Sequence, residues 1–458
     1  MSDPGLRLPD DVVTWVEEIG RGKVTHLDRK PGGGRKEAWF VDLDRPGEGM
    51  AELFLHYDRS DRRATKDPWT LRREASVYGA LNGSNVPVPR LLGIHPSHHA
   101  MLSERLVGES RFSRISDPAE REATAQDFMA KLAELHRLDP TTLDLPGFPS
   151  ATTVPEAVCH ELDEWDALLA ARGGPVDPAL SFTLEWLRRH IPAYEGPVVL
   201  VQGDTGPGNF MYAAGRVVAI VDWELSHLGD PMDDIAWLSL RATQEPFTDF
   251  PARLREYEQL SGHLIDEGRV QYYRVMAEAK LAVMTHRPPG SAHGGGGDVG
   301  HAFIYGVLHR RLWLEALAVA AAIDLTPAET PPPRAPRDHE WMYAALLDQL
   351  REVIVPRISD PLASTRSKGL ARAIKYLAQV DAHGTFYETC ELEDLEELLG
   401  HAPGDLADGR AQLAAEVRHQ RVGEEDYLGY LWRRVARETE LARPAMGVLA
   451  DRHWPPLT

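Results

Sequence analysis

The spacing of apolar positions changes character along the chain. Val12, Trp15, Val16 and Ile19 recur at three- and four-residue intervals and predict a short amphipathic helix beginning near Asp11. The period then drops to two. Residues 24–27, 37–43 and 50–57 alternate between apolar and polar, and the turns Pro31-Gly32-Gly33-Gly34 and Pro46-Gly47 separate them, which predicts an antiparallel meander. A helix follows over about 69–81, with Leu71, Ala75, Tyr78 and Leu81 inward and Glu74 among them. Val86-Pro87-Val88-Pro89 is extended, because a residue before proline is kept out of the helical region. Residues 100–106 read as a further strand, closing a small lobe of mixed α and β structure over 1–104.

From Pro118 the helical period dominates. Ala125, Phe128, Met129, Leu132 and Leu135 share one face of a helix that carries His136 near its end, a histidine expected to be a hydrogen-bonded core residue rather than a catalyst. Further helices are predicted at 155–171, 178–190, 233–240, 250–261, 267–286 and 301–322. Two short apolar runs interrupt them, 198–201 and 217–221; with Gly215 at a hairpin between them, they are expected to lie side by side. Residues 326–338 are Pro-rich and read as a linker between a helical lobe over 105–325 and a third part over 339–458. That last part has four apolar stripes, expected as four helices, and an acidic run from Glu391 to Glu397 expected as a solvated face.

Composition narrows the class. Of 458 residues, 43% are hydrophobic and 26% charged, which places the chain among soluble globular proteins. A formal charge of −20 opposes nonspecific attraction to nucleic acid or an anionic membrane. The two cysteines, Cys159 and Cys390, are too few and too far apart for a disulfide framework or a zinc site. The amino terminus lacks the basic and apolar regions of a secretory signal, and no run approaches the roughly 18 to 20 apolar residues that span a bilayer. A cytoplasmic location is expected.

Candidate chemistry sits at the ends of the two short runs. The first empties into Gln202, Gly203 and Asp204, followed by a Thr-Gly-Pro-Gly turn and Asn209; the second empties into Asp222, Trp223 and Glu224. Moving a phosphoryl group from a nucleotide to a hydroxyl requires a carboxylate that orients the acceptor and takes its proton, and hard oxygen ligands for magnesium. Asp204 fits the first task, Asn209 and Asp222 the second. The spacing D-x-x-x-x-N, with an acid thirteen residues further on at a strand end, is specific in a way that DxxxxN alone is not. Asp230 and Asp234 are expected to position the loop and cap a helix, and Glu224 to cap or pair nearby. The triple-glycine turn either lays backbone amides over a phosphate or is only a turn. The glycine run within 288–300 reads as a surface loop, with a substrate-side lid as the alternative.

QGDTGPGNF followed by VVAIVDWELSHLGDPMDDIAW resembles the aminoglycoside phosphotransferase and choline kinase family, and REASVYGAL, VPVPRLLG and LAELHRLDP stand in the same order as in that family. The resemblance covers about residues 14–325. It implies an α+β fold, bilobal and protein-kinase-like, with an antiparallel-sheet lobe and a mainly helical lobe, here followed by an all-α C-terminal domain. It implies ATP and Mg²⁺, Asp204 as catalytic base, Asn209 and Asp222 as magnesium ligands, and an adenine-binding hinge at Ser103, Glu104, Arg105 and Leu106. Two positions depart from the family pattern. Gln202 stands where the loop usually has histidine, and His56, with Glu74 as its partner, stands where the third strand usually has the phosphate-holding lysine or arginine; Arg59 or Lys36 are the alternatives. The DWELSHLGDP form is most similar to the branch associated with acyl-CoA dehydrogenases, which implies a small-molecule hydroxyl acceptor such as a hydroxyacyl-CoA. A CoA site would want Arg or Lys; Arg310 and Arg311 are candidates, with a solvated face as the more ordinary reading of both. The competing readings are an aminoglycoside or macrolide antibiotic kinase and a catalytically impaired nucleotide-binding scaffold. Self-association through the C-terminal helical domain is left open as an expectation.

Overall fold

A computed structural model describes residues 7–30, 36–59, 69–287 and 299–458. The triple-glycine turn and most of the glycine-rich 288–300 stretch therefore lie outside the described residues. In chain order the elements are α1 (Asp10–Gly20), β1 (Lys23–Lys30), β2 (Glu37–Arg45), β3 (Gly49–Asp58), α2 (Leu71–Leu81), β4 (Leu91–Ile94) and β5 (His99–Glu104). Then come α3 (Pro118–His136), α4 (Val154–Arg172), α5 (Pro178–Arg189), β6 (Val199–Val201), β7 (Phe210–Ala213), β8 (Arg216–Ile220) and β9 (His227–Gly229). The rest is helical: α6 (Pro231–Gln244), α7 (Phe250–Ser261), α8 (Glu267–Thr285), α9 (Val299–Ala320), α10 (Trp341–Asp348), α11 (Pro361–Leu399), α12 (Leu406–Arg418) and α13 (Glu424–Met446).

Backbone contacts divide the chain into two compact units, one of Met1–Arg172, Pro192–Val270 and Pro455–Thr458, the other of Gly173–Ile191 and Gln271–Trp454. The Pro-rich stretch thus falls inside the second unit instead of marking its edge.

In the first unit five strands form a sheet in the order β1-β2-β3-β5-β4, with every neighbouring pair antiparallel. Trp39, Val41 and Leu43 of β2, Leu53, Leu55 and Tyr57 of β3, and Ala100 and Leu102 of β5 pack with Val12, Trp15 and Val16 of α1. Each of the larger side chains contributes about 1.5–3 kcal/mol on burial, and a one-residue slip would turn the whole set outward, so the register is held. Ala38 pairs with His56 and Phe40 with Phe54. Period two places these four on the opposite face.

The two short apolar runs do not pair with each other. β6 pairs with β9, and β8 forms its hairpin with β7, turning at Ala214 and Gly215. Phe210 and Tyr212, both buried, make Phe210–Ala213 a strand in its own right and the nearer partner for β8. The polar ends still converge, because Val221 N–H donates to Asn209 O at 2.9 Å.

In the second unit the apolar stripes through Leu370, Ile374 and Leu377 and through Leu392, Leu395 and Leu398 belong to one 39-residue helix, α11, not two. No proline interrupts it, and Gly384 is buried within it. The acidic run is not simply solvated either: Glu391 is buried, accepts from Arg410 Nε and Nη2 at 2.7 Å each, and accepts from Tyr430 Oη at 2.8 Å. The Pro-rich stretch is tied down. Trp432 Nε1 donates to Thr326 O at 2.7 Å, and Arg437 Nε donates to Glu329 Oε2 at 2.8 Å while its Nη1 reaches Asp394 at 2.6 Å. Among the described residues no helix is long and apolar enough to cross a membrane.

Candidate active site

The loop after β6 is built around one buried carboxylate. Asp234, in the first turn of α6, accepts from the backbone N–H of Gln202 and of Gly203, each at 2.9 Å, and from Thr205 Oγ1. His136 Nε2 lies 3.0 Å from Oδ2, the oxygen that also accepts from Gln202 N, and His136 Nδ1 lies 2.6 Å from Tyr257 Oη. His136 is thus the hydrogen-bonded core residue its position predicts, and the neighbouring Asp230 caps α6 by accepting from Met232 N at 2.9 Å. Burial alone would raise the Asp234 pKa, but the bonds from His136, Thr205 and Gly203 outweigh it and hold the carboxyl below its ordinary value. Gly203 has φ +84°, and a Cβ there would stand 2.3 Å from Leu225 O, so only glycine passes this point.

Gln202 does the tying expected of a group that both donates and accepts. Its Oε1 accepts from Asp204 N at 2.8 Å and Thr205 Oγ1 at 3.0 Å, and its Nε2 donates to Val221 O at 3.1 Å and Asp222 O at 2.9 Å. One side chain thereby links the loop of Asp204 to the backbone of Asp222. Asp222 has φ +62°, a left-handed conformation costing roughly 1–2 kcal/mol for a residue with a Cβ. Strain of this kind is held where the surroundings over-determine it. Its side chain is 42% exposed, more open than the apolar neighbours Val221 and Trp223 imply.

Asp204 and Asn209 face each other across the Gly-Pro-Gly turn, Asn209 Nδ2 donating to Asp204 O at 2.7 Å. Arg241, in the last turn of α6, reaches back to Asp204: Nε donates to Oδ1 at 2.8 Å and Nη2 donates to Oδ2. Burial raises the Asp204 pKa above its ordinary value, with Arg241 opposing. A Cβ at Gly206 would lie 2.9 Å from Arg241 Cβ, so the glycine makes the floor on which the arginine lies.

On the donor side the expected pairing changes. Glu74, fully buried on α2, meets Lys36 Nζ at 2.8 Å and accepts from Tyr78 Oη at 3.1 Å. His56 makes no ion pair with it among the described residues; its Nδ1 is enclosed without a hydrogen-bond partner, and its ring stands edge-on to Phe54 at 4.7 Å. Burial lowers the His56 pKa, which favours the neutral ring. Lys36 Nζ also lies 2.9 Å from Glu224 and 3.5 Å from Asp222. Burial disfavours its charge, but Glu74, Asp222 and Glu224 together raise its pKa. Glu224 is therefore a partner in the site, and Arg59 is not the substitute cation, being engaged with Glu37 at 2.6 Å.

At the hinge, Ser103 is buried at the end of β5 and Arg105 N donates to Glu52 O at 3.3 Å. The Arg105 guanidinium pairs with Asp42 at 2.8 Å and with Glu52, and Glu104 accepts from Arg90 N at 2.8 Å. These side chains are committed to the sheet, and so are the backbone N–H groups of Glu104 and Arg105, which donate to Arg90 O and Glu52 O. Of the two arginines considered for acceptor phosphates, Arg311 is buried and donates to the carbonyls of Ala450 and Arg452, and Arg310 lies 3.4 Å from Glu438.

The donor atoms fit magnesium. Asn209 spends its N–H on Asp204 O, which leaves Oδ1 as an acceptor, and Asp222 is an exposed carboxylate beside it across the Val221–Asn209 bond. Among the described residues no three His, Cys, Asp or Glu converge on a metal, so phosphate oxygens would complete such a shell, as is usual for this ion. Arg241 escaped the sequence reading. Its signal was there, since Asp234, Leu238 and Arg241 stand four and three residues apart on one helical face.

Acyl-CoA dehydrogenase family member 11 of Homo sapiens is 30% identical over 179 residues, 37% of this chain and 22% of that protein; the Rattus norvegicus protein is 31% identical over the same length and shares. The chain thus spans about a fifth of the length of these relatives. Among solved structures, macrolide 2'-phosphotransferase MphH from Brachybacterium faecium superposes with TM-score 0.43 at 18% identity, covering 71% of this chain and all of that one. A thermostable mutant of aminoglycoside phosphotransferase APH(4)-Ia, in ternary complex with ADP and hygromycin B, gives TM-score 0.44 at 17% identity, covering 59% and 90%. The model of the APH phosphotransferase enzyme family matches residues 36–277, more than half of the chain and all of the site just described, so the chain belongs to that family and has its protein-kinase-like fold.

Proposed function

We propose that the chain transfers the γ-phosphoryl group of ATP to a hydroxyl of a small molecule, and that the acceptor is a hydroxyacyl-CoA. The observation that carries this is the convergence of Asp204, Asn209 and Asp222 on one loop system, with a buried Lys36–Glu74 pair beside them. Asp204, held in orientation by Gln202 and Arg241, accepts the proton of the acceptor hydroxyl as its oxygen bonds to the γ-phosphorus. The bond from that phosphorus to the bridging oxygen breaks, and ADP leaves with the electron pair. Asn209 and Asp222 would hold magnesium, whose chemistry when bound would be to neutralise charge on the phosphate oxygens.

The hydroxyacyl-CoA class is supported by the relatives named acyl-CoA dehydrogenase family members, over the 37% of the chain they match. The scaffold alternative was motivated by His56 and Gln202. Lys36 supplies a cation at the donor side and Gln202 keeps the loop bonded to the backbone that follows β8, which supports catalysis. The test is an ADP-coupled assay against a panel of hydroxyacyl-CoAs, aminoglycosides and macrolides. Asp204→Ala is expected to lose about 10² to 10⁴ in rate. Full transfer by that variant would remove Asp204 as base, and turnover of an antibiotic alone would move the acceptor class.

A further inference from the structure

The resemblance places the phosphate-holding cation on β3, at His56. We propose that this duty has passed to Lys36 at the entrance of β2, so that the donor's phosphates are held from the second strand while Glu74 fixes the lysine from α2. The inference rests on the phosphotransferase reading above and names the residue that grips the donor.

Register carries the first part. Ala38 stands opposite His56 across the β2–β3 ladder, and Lys36 precedes Ala38 by two residues. Period two puts Lys36, Ala38 and His56 toward the same face of the sheet. Moving the cation from one strand to the next changes the backbone that bears it and keeps the face it serves.

Bond accounting carries the second. Glu74 has Lys36 on Oε2 and Tyr78 on Oε1, so its partner is settled, and His56 is left with an enclosed, unpartnered Nδ1. A neutral ring there fills space beside Phe54 without bringing a second buried charge that would need a partner of its own.

Geometry carries the third. An ammonium has three N–H donors. Glu74 accepts one at 2.8 Å and Asp222 a second at the long distance of 3.5 Å, while Glu224, 2.9 Å away, is an ion-pair partner whose Oε2 takes no hydrogen bond. The third donor is the one a phosphate oxygen takes, between α2 and the acid assigned to magnesium. Lys36 is 11% exposed, enclosed enough to be oriented and open enough to be reached.

The experiment is a thermal-shift titration of the whole chain with Mg-ADP and Mg-ATP. Loss of one charge-assisted bond to phosphate predicts an affinity for Lys36→Met lower by roughly 10- to 100-fold. Removing half of a buried ion pair is itself destabilising, so Lys36→Met is also made together with Glu74→Gln, which removes both charges and is expected to bind as weakly. His56→Ala is expected to bind as the natural chain does. Placing the cation back on the third strand, Lys36→Met with His56→Lys, is expected to restore binding. Wild-type affinity in both Lys36 variants, or loss of binding in His56→Ala alone, overturns the proposal. A restored-strand variant that melts cooperatively yet stays weak overturns the equivalence of the two strands, and if it does not fold the other variants decide. A natural chain that shows no shift with either nucleotide sinks the phosphotransferase reading itself, a result distinct from all of these.

Discussion

Arg241 meets Asp204 side-on, through Nε and Nη2, from a helix whose first turn holds the same loop through Asp234. One helix therefore sets both the backbone of the loop after β6 and the carboxylate at its tip. A bidentate guanidinium fixes the carboxylate plane, while each oxygen keeps a lone pair for an acceptor hydroxyl.

Arg241→Gln is expected to lower kcat by about 10² to 10³ with little change in nucleotide affinity, the size seen when one preorganised donor leaves an active site. Gly206→Ala should act in the same direction, because its Cβ would press on Arg241 Cβ from 2.9 Å. The pH profile separates this role from plain support. Burial raises the Asp204 pKa and Arg241 opposes the rise, so in Arg241→Gln the acid limb of kcat/KM moves to higher pH. An unmoved limb would mean that Asp204 is not the group being titrated.

Asp234 predicts a pH-dependent stability. Its folded-state pKa is depressed, so its contribution is complete above the ordinary carboxylate range near pH 4 and is lost as pH falls through the lowered value. Asp234→Ala is expected to cost about 3–5 kcal/mol at pH 7, since it strips the partner from His136, Thr205 and two backbone amides. Urea unfolding of both proteins at pH 7 and at pH 3 should show the gap narrowing at the acid end.

Gln202→Ala removes the cross-link between Asp204 N and the carbonyl oxygens of Val221 and Asp222. A loss of about 1–3 kcal/mol in stability is expected, with a fall in kcat that exceeds the fall in folded fraction. Equal falls, measured by activity and circular dichroism on the same samples, would make the residue a support of the core alone.

Arg437 gives a prediction for the second unit. It binds Glu329 of the Pro-rich stretch and Asp394 of α11 together. Arg437→Ala should free the stretch and speed tryptic cleavage after Arg334 and Arg337. An unchanged digestion time course would show that the other ties, Trp432 to Thr326, Arg334 to Glu340 and Arg337 to Asp381, suffice to hold it.

Much of this was readable from residue order. The meander followed from period two and two turns, and the trio Asp204, Asn209 and Asp222 followed from polar groups ending apolar runs. Strand partners were less readable, because a three-residue run such as Val199–Val201 carries no information on which neighbour completes its bonds; β9 lies almost thirty residues away. The continuity of α11 was hidden by two stripes that drift around one helix, as apolar positions do when they do not keep a strict 3.6 spacing. Lys36 was only one of two alternatives to His56, since a single lysine at the end of a turn has no periodic neighbours to announce its role. Its bond to Glu74 links residues 38 positions apart.

The placement of Lys36 bears on how inactive relatives of kinases are recognised. A search that demands a cation on the third strand would discard this chain as a dead enzyme on the strength of one histidine. On the proposal made for Lys36, the demand belongs with the glutamate instead: whichever strand answers it with a lysine is the strand to examine for a donor site.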